Sequence, residues 1–108
     1  MYFYDPKSRE PKEIAAGIHG RTFWGSHLLM ALVDLDANAT LPNHTHPQEQ
    51  GGIVIAGDIE LTIGGEMRKL SPGDIYIIPG GIEHSARVGS QPVQILDIFA
   101  PPREDFMY

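Results

Sequence analysis

Three of the five histidines are spaced where they can do chemistry, and because the chain has no cysteine any metal ion must be held by nitrogen and oxygen. His44 and His46 flank Thr45. In an extended segment residues i and i+2 point to one face, which aims two imidazoles at one point. The same parity runs on to Gln48 and Gln50 unless Pro47 interrupts the strand, so it mildly favours Gln50 over Glu49 as a further ligand. His84 lies in a separate segment bounded by Gly and Pro, from which it can approach as part of a neighbouring strand. His19 and His27 stand alone and read as structural or surface residues.

A second constellation lies near the C-terminus. Val93, Ile95, Asp97 and Phe99 share one face of a strand by alternation, which sets Asp97 among apolar residues. Burial raises a carboxyl pKa while a nearby cation lowers it, so Asp97 suits general acid or base work; a structural ion pair with Arg103 or Arg87 reads equally well. Pro101 and Pro102 stiffen the exit from the strand and hold Arg103, whose planar fork matches a carboxylate. A surface or capping role is the alternative for Arg103.

The elements that must position these groups are short strands. Twelve glycines and nine prolines are spread along 108 residues and separate runs of Val, Ile, Leu, Thr and Tyr, a pattern of tight turns in an all-β sandwich or barrel. Strands are expected over residues 23–36, 51–56, 59–63, 66–70, 75–78, 83–88 and 93–99. Gly64-Gly65 suits a two-residue hairpin turn, and Ser71-Pro72-Gly73-Asp74 suits a type II turn. Residues 11–16 and 103–108 can each form a helical turn. Trp24 and the N-terminal tyrosines are read as covering the barrel or a subunit contact.

Length leaves room for one domain, 1–108, with a barrel core at about residues 22–100. The formal net charge of −6 disfavours nucleic acid and anionic membranes, and no apolar run approaches the roughly 20 residues of a transmembrane helix. A cytoplasmic location is the default for an N-terminus without a secretory pattern. An anionic substrate requires a pocket with its own positive charge. Exposed strand edges favour a homodimer.

With these residues in view the chain resembles the cupin superfamily. Its first motif, G-x5-H-x-H-x3-E-x6-G, is met by His44, His46, Gln50 in the Glu position and Gly57, with Asn38 in place of the first glycine. The second, G-x5-P-x-G-x2-H-x3-N, is met by Gly73, Pro79, Gly81 and His84, with Val88 in place of the final Asn. The resemblance implies a small single-domain jelly-roll β-barrel with one divalent metal ion, Ni, Fe, Mn, Co or Zn, inside its mouth. Gln50 in place of Glu leaves the ion's charge uncompensated and makes the pocket more attractive to anions.

The C-terminal string from Asp97 to Phe106 is similar to that of the small cupins of pectin and alginate breakdown, which open 4,5-unsaturated monouronates to 5-keto-4-deoxyuronates. That likeness implies His44, His46, Gln50 and His84 as metal ligands, Asp97 as acid/base, Arg103 as the carboxylate binder, and Phe99 and Gln50 facing a small sugar acid. An iron-dependent dioxygenase and a non-catalytic sugar-acid-binding barrel are the alternatives.

Overall fold

The computed structural model describes residues 2–108. Among these residues ten strands form two antiparallel sheets: β1 (Lys12–Ala15), β2 (Ile18–Trp24), β3 (Leu29–Leu35), β4 (Thr40–His44), β5 (Glu49–Ala56), β6 (Ile59–Ile63), β7 (Glu66–Leu70), β8 (Ile75–Ile78), β9 (His84–Val88) and β10 (Val93–Ala100). One sheet has the order β1-β2-β3-β10-β5-β8 and the other β4-β9-β6-β7. Together they form the jelly-roll barrel that the motifs imply. Among the described residues no helix is long and apolar enough to cross a membrane.

Alternation produces the core. In β3 the odd positions Leu29, Ala31, Val33 and Leu35 are buried and the even ones are not. In β10 Val93, Ile95, Asp97 and Phe99 point inward. Ile59 of β6 and Val88 of β9 meet them from the other sheet, so the core lies between the layers.

The turns follow their residue types. Gly64 and Gly65 have φ of 54° and 84°, closing the β6–β7 hairpin in which Ile63 faces Glu66. Gly73 has φ of 94° and the Asp74 N–H donates to the Ser71 carbonyl, as a type II turn requires. Asn38 carries φ of 65°, a left-handed conformation that Asn tolerates better than most side chains, so the departure from glycine leaves that turn intact.

Three expectations change. Within the stretch 11–16, expected as a helical turn, residues 12–15 form the strand β1, paired with β2, because a neighbouring edge supplies ladder partners that a lone helical turn lacks. The barrel therefore begins near residue 12 and not near residue 22. The stretch 23–36 is no single strand: β2 ends at Trp24, and the Gly25 N–H donates to the Leu28 carbonyl in a turn that reverses the chain into β3. At the other end, residues 104–106 form one 3-10 turn.

The N-terminal segment packs on the rim of the first sheet. Tyr4 lies against Phe23, and the Arg9 guanidinium sits over Phe23 and Trp24 while donating to the Thr22 carbonyl. Tyr2 is exposed.

Candidate metal centre and its pocket

His44 ends β4 and pairs directly with His84, which begins β9. A bulge between Leu41 and His44 sets three steps of β4 against two of β9. The extra residue shifts side-chain parity, so Leu41 and His44 both line the interior although they are an odd number of residues apart. Pro42 is tolerated here because β4 is an edge strand.

His46 lies beyond the end of β4, so its direction does not come from strand alternation. The loop after it is fixed by the Pro79-Gly80-Gly81 turn. The Gly81 N–H donates to the His46 carbonyl, and a Cβ on Gly80 would lie 2.2 Å from the Pro47 carbonyl oxygen. Parity does not run through Pro47 to Gln50. Gln50 enters from β5 as a new strand, buried, while Glu49 is exposed. Gln50 is the inward residue of the two.

The Nδ1 atoms of all three rings face backbone carbonyls: His44 to Pro42 at 2.8 Å, His46 to Gln48 at 3.0 Å and His84 to Ile82 at 2.9 Å. Placing the proton on Nδ1 satisfies each carbonyl and leaves an Nε2 lone pair for a ligand. One nitrogen from each ring lies within 4.8 Å of the others.

Two observations fit these rings to a cation. His84 Nε2 is buried without a hydrogen-bond partner. His46 Nε2 lies 3.0 Å from Gln50 Oε1, yet a neutral ring that donates from Nδ1 has no second proton to give. Burial lowers the pKa of both His46 and His84 and favours neutral rings. A cation between the His46 nitrogen and the Gln50 oxygen turns two facing acceptors into two ligands.

Asp97 sits in the middle of β10, paired with Gly52 on one side and Ala31 on the other. Among the described residues it has no ion-pair partner; Arg87 is exposed on the other sheet, and Arg103 forms its salt bridge with Asp105. The Tyr76 hydroxyl donates to Asp97 Oδ1 at 2.5 Å, and the Gln50 amide also hydrogen-bonds to the carboxylate. Burial pushes the Asp97 pKa up to about 6 against the downward pull of these two donors and of the Arg103 charge. Burial and the adjacent carboxylate push the Tyr76 phenol up as well, so it stays a donor.

Tyr76 was not legible as a site residue. The run Ile75-Tyr-Ile-Ile78 is apolar on both faces, which hides the inward parity of Tyr76 and Ile78. A tyrosine opposite a glycine is the one signal available: Tyr76 pairs with Gly52, where a Cβ would lie 2.2 Å from the ring. Gly52→Ala is therefore expected to push the ring off Asp97 and cost about 1–3 kcal/mol in urea unfolding. The phenol-to-carboxylate contact would be lost with it, read as a changed Asp97 titration by NMR.

Arg103 is held on its own turn. Its Nε and Nη2 donate to the two oxygens of Asp105 at 3.2 and 2.7 Å, its guanidinium lies 3.9 Å from the Phe106 ring centroid, and its side chain is only 16% exposed. Asp105 and Phe106 thus position it, two roles absent from the sequence reading. Phe99 is buried and packs edge-on against His46. His44, Gln50, His84, Asp97, Phe99 and Arg103 all line one cavity of about 290 Å³ that aliphatic side chains such as Val33, Leu35 and Ile95 also line. The structure brings every expected site residue to this cavity except His46, whose ring packs against Phe99 and His84. His19 and His27 lie elsewhere: His19 is on β2 near Glu13, and His27 is exposed in the β2–β3 turn.

A two-sheet barrel with three histidines converging at its mouth defines a class, and the cupin domain family, Cupin_2, matches residues 31–99. The chain belongs to the cupin family. Among its relatives, the pectin degradation protein KdgF of Dickeya dadantii is 31% identical over 108 residues, covering 98% of this chain and 97% of that protein. The structure of KdgF from Halomonas sp. superposes with a TM-score of 0.92 at 28% identity, covering 99% of each chain. The dimethylsulfoniopropionate lyase DddQ of Ruegeria pomeroyi is 32% identical over 78 residues, which span 71% of this chain and 39% of that protein.

Proposed function

We propose that this cupin opens the ring of 4,5-unsaturated monouronates released in pectin or alginate breakdown, giving the open-chain 5-keto-4-deoxyuronate. The observation that carries the reading is a buried carboxyl, Asp97, held between Tyr76 and Gln50 in the same cavity as His44, His84 and Arg103. Likeness along nearly the whole chain to a pectin degradation protein supports it. The cavity's size also agrees: about 290 Å³ is at the low end of small-ligand sites, which suits one sugar ring better than a chain of them.

The reaction is an isomerisation and needs no co-reactant. The anomeric hydroxyl loses its proton, the bond from C1 to the ring oxygen breaks, C1 becomes an aldehyde, and the enolate left at C5 takes a proton at C4 to become the ketone. Asp97, with a pKa near neutrality, carries the proton. His44, His46, His84 and Gln50 would hold one divalent ion, which when bound supplies positive charge for anionic oxygens. Arg103 binds the substrate carboxylate through the guanidinium edge that Asp105 leaves free. Phe99 walls the pocket.

The test follows the ultraviolet absorbance of an unsaturated galacturonate or mannuronate monomer. Enzyme should accelerate its loss well beyond the spontaneous rate; an unchanged rate with metal-replete protein discards the reading. Oxygen consumption during turnover would instead mark a dioxygenase, and tight sugar-acid binding without turnover a binding protein. Arg103→Lys keeps the charge but not the fork, and should cost about 10- to 100-fold in kcat/KM, mostly through KM.

A further inference from the structure

The inner face of the six-stranded sheet carries one cross-strand row that reads Thr22, Ala31, Asp97, Gly52, Tyr76, on β2, β3, β10, β5 and β8. Small residues flank the carboxyl, and a hydroxyl stands at each end. Tyr76 reaches back to Asp97. Thr22 turns the other way and donates from Oγ1 to the Phe106 carbonyl at 2.6 Å, 84 residues along the chain. Thr22 has no exposed surface, and its inward neighbours on β2 are Ile18 and Gly20. A hydroxyl in such a place costs free energy unless it is paired, and here its partner is the turn after β10.

That bond attaches the turn to the barrel. Among the described residues no other hydrogen bond joins residues 101–108 to the rest of the chain. The remaining ones are internal: the Phe106 and Met107 N–H groups donate to the Arg103 and Glu104 carbonyls, and the Tyr108 N–H shares the Phe106 carbonyl at 3.2 Å. Phe106 also packs edge-on against Phe99, and the Lys12 ammonium lies over the Tyr108 ring. Ring contacts of this kind tolerate sliding, whereas a buried hydrogen bond fixes both distance and angle.

Arg103 rides on the same turn, its guanidinium over the Phe106 ring and its Nε and Nη2 on Asp105. Wherever the turn sits, the fork goes with it. We propose that Thr22 is a positioning residue for Arg103, fixing the fork against the strand row that carries Asp97. This rests on the reading of Arg103 as the group that binds the substrate carboxylate. Thr22 lies two strands from Asp97, roughly 10 Å at the usual strand spacing, and is absent from the cavity wall. Its effect on substrate therefore passes through the turn. Without that bond the fork must be ordered when substrate binds, and the entropy cost of ordering it appears in KM.

Steady-state kinetics and NMR on the full chain test the proposal. Thr22→Val fills nearly the same space without the hydroxyl, and the Phe106 carbonyl keeps the Tyr108 N–H. It should raise KM about 10-fold with kcat changed less than about threefold, and Thr22→Ser should restore the wild-type KM. Thr22→Ala, which removes the hydroxyl without any crowding, should reproduce the rise. In an Arg103→Lys background Thr22→Val should change KM less than about twofold, because the two residues act as a unit. Hydrogen exchange at the Phe106 amide and the Arg103 Nε–H should run about 10-fold faster in Thr22→Val, while the ladder amides of β3 and β10 exchange as in wild type. An unchanged KM, an equal loss in the Arg103→Lys background, or no rescue by serine overturns the proposal. Absence of turnover by metal-replete wild type would instead discard the ring-opening reading; the exchange comparison then decides alone, and unchanged exchange at Phe106 and Arg103 overturns the positioning role.

Discussion

Asp97→Asn should slow monouronate turnover by about 10²- to 10⁴-fold while making the metal-free protein more stable at neutral pH. The two effects share a cause. The folded carboxyl has a pKa of about 6 against 3.8 in its ordinary state, because burial outweighs the hydrogen bonds from Tyr76 and Gln50. Below pH 3.8 the group is protonated in both folded and unfolded chains and contributes nothing. As pH rises from 3.8 to 6 the unfolded chain releases its proton first, so stability falls across that window and stays lowered above it. That rise from 3.8 to about 6 corresponds to about 3 kcal/mol at pH 7. Asparagine fills the same space, can still accept from Tyr76, and removes the penalty. Urea unfolding at pH 4 and pH 7 checks this: the variant should match wild type at the lower pH and exceed it at the higher. An equal gap at both values would mean that the buried charge is not the source. Chelator-treated protein is required, since a bound cation lowers the carboxyl pKa and masks the effect.

His84→Ala should abolish metal retention and turnover together. The His84 Nε2 atom is buried, lacks a partner and faces the other two rings, so removing it takes one ligand of three imidazoles and opens the pocket between β9 and β4. Wild type supplied with a divalent ion at 100 times its Kd gains about 2.7 kcal/mol, which for a domain of this size is roughly 10–20 °C in Tm. The variant should show no such rise and should release its metal on dialysis. The metal-free variant should not be drastically weaker than metal-free wild type, because the lost ring brought an unsatisfied nitrogen with it. One equivalent of metal retained after dialysis, with an unchanged thermal shift, would remove His84 from the site.

A stabilised but inactive Asp97 variant and a metal-blind His84 variant separate two parts of one cavity. The carboxyl acts through where its proton sits, and the histidines through their three inward nitrogens. Tyr76 joins the two parts: it orients the carboxylate that also receives the Gln50 amide, and the Gln50 oxygen is thereby turned toward His46.

Much of this was readable along the chain because it depends on local rules. Strand alternation placed Asp97 and Phe99 inward, and glycine pairs and a Pro-Gly step set the turns, while the metal-binding barrel came from the resemblance of the histidine and glycine motifs to those of cupins. Where two rules competed, local reading failed. Residues 12–15 became a strand only because β2 offered an edge, and the apolar run 75–78 concealed which side of Tyr76 faced the core.

The sequence alone determined which atoms are available: imidazoles and an amide without thiols, one carboxyl on an apolar strand face, and an arginine after two prolines. Only the tertiary structure decided where His44, His46 and Tyr76 point. The bulge that turns His44 inward, the Gly80 contact that fixes the His46 loop, and the glycine that lets Tyr76 reach Asp97 are all contacts between distant segments. Such directions are set by register and close approach across strands, and no spacing along a single strand contains them.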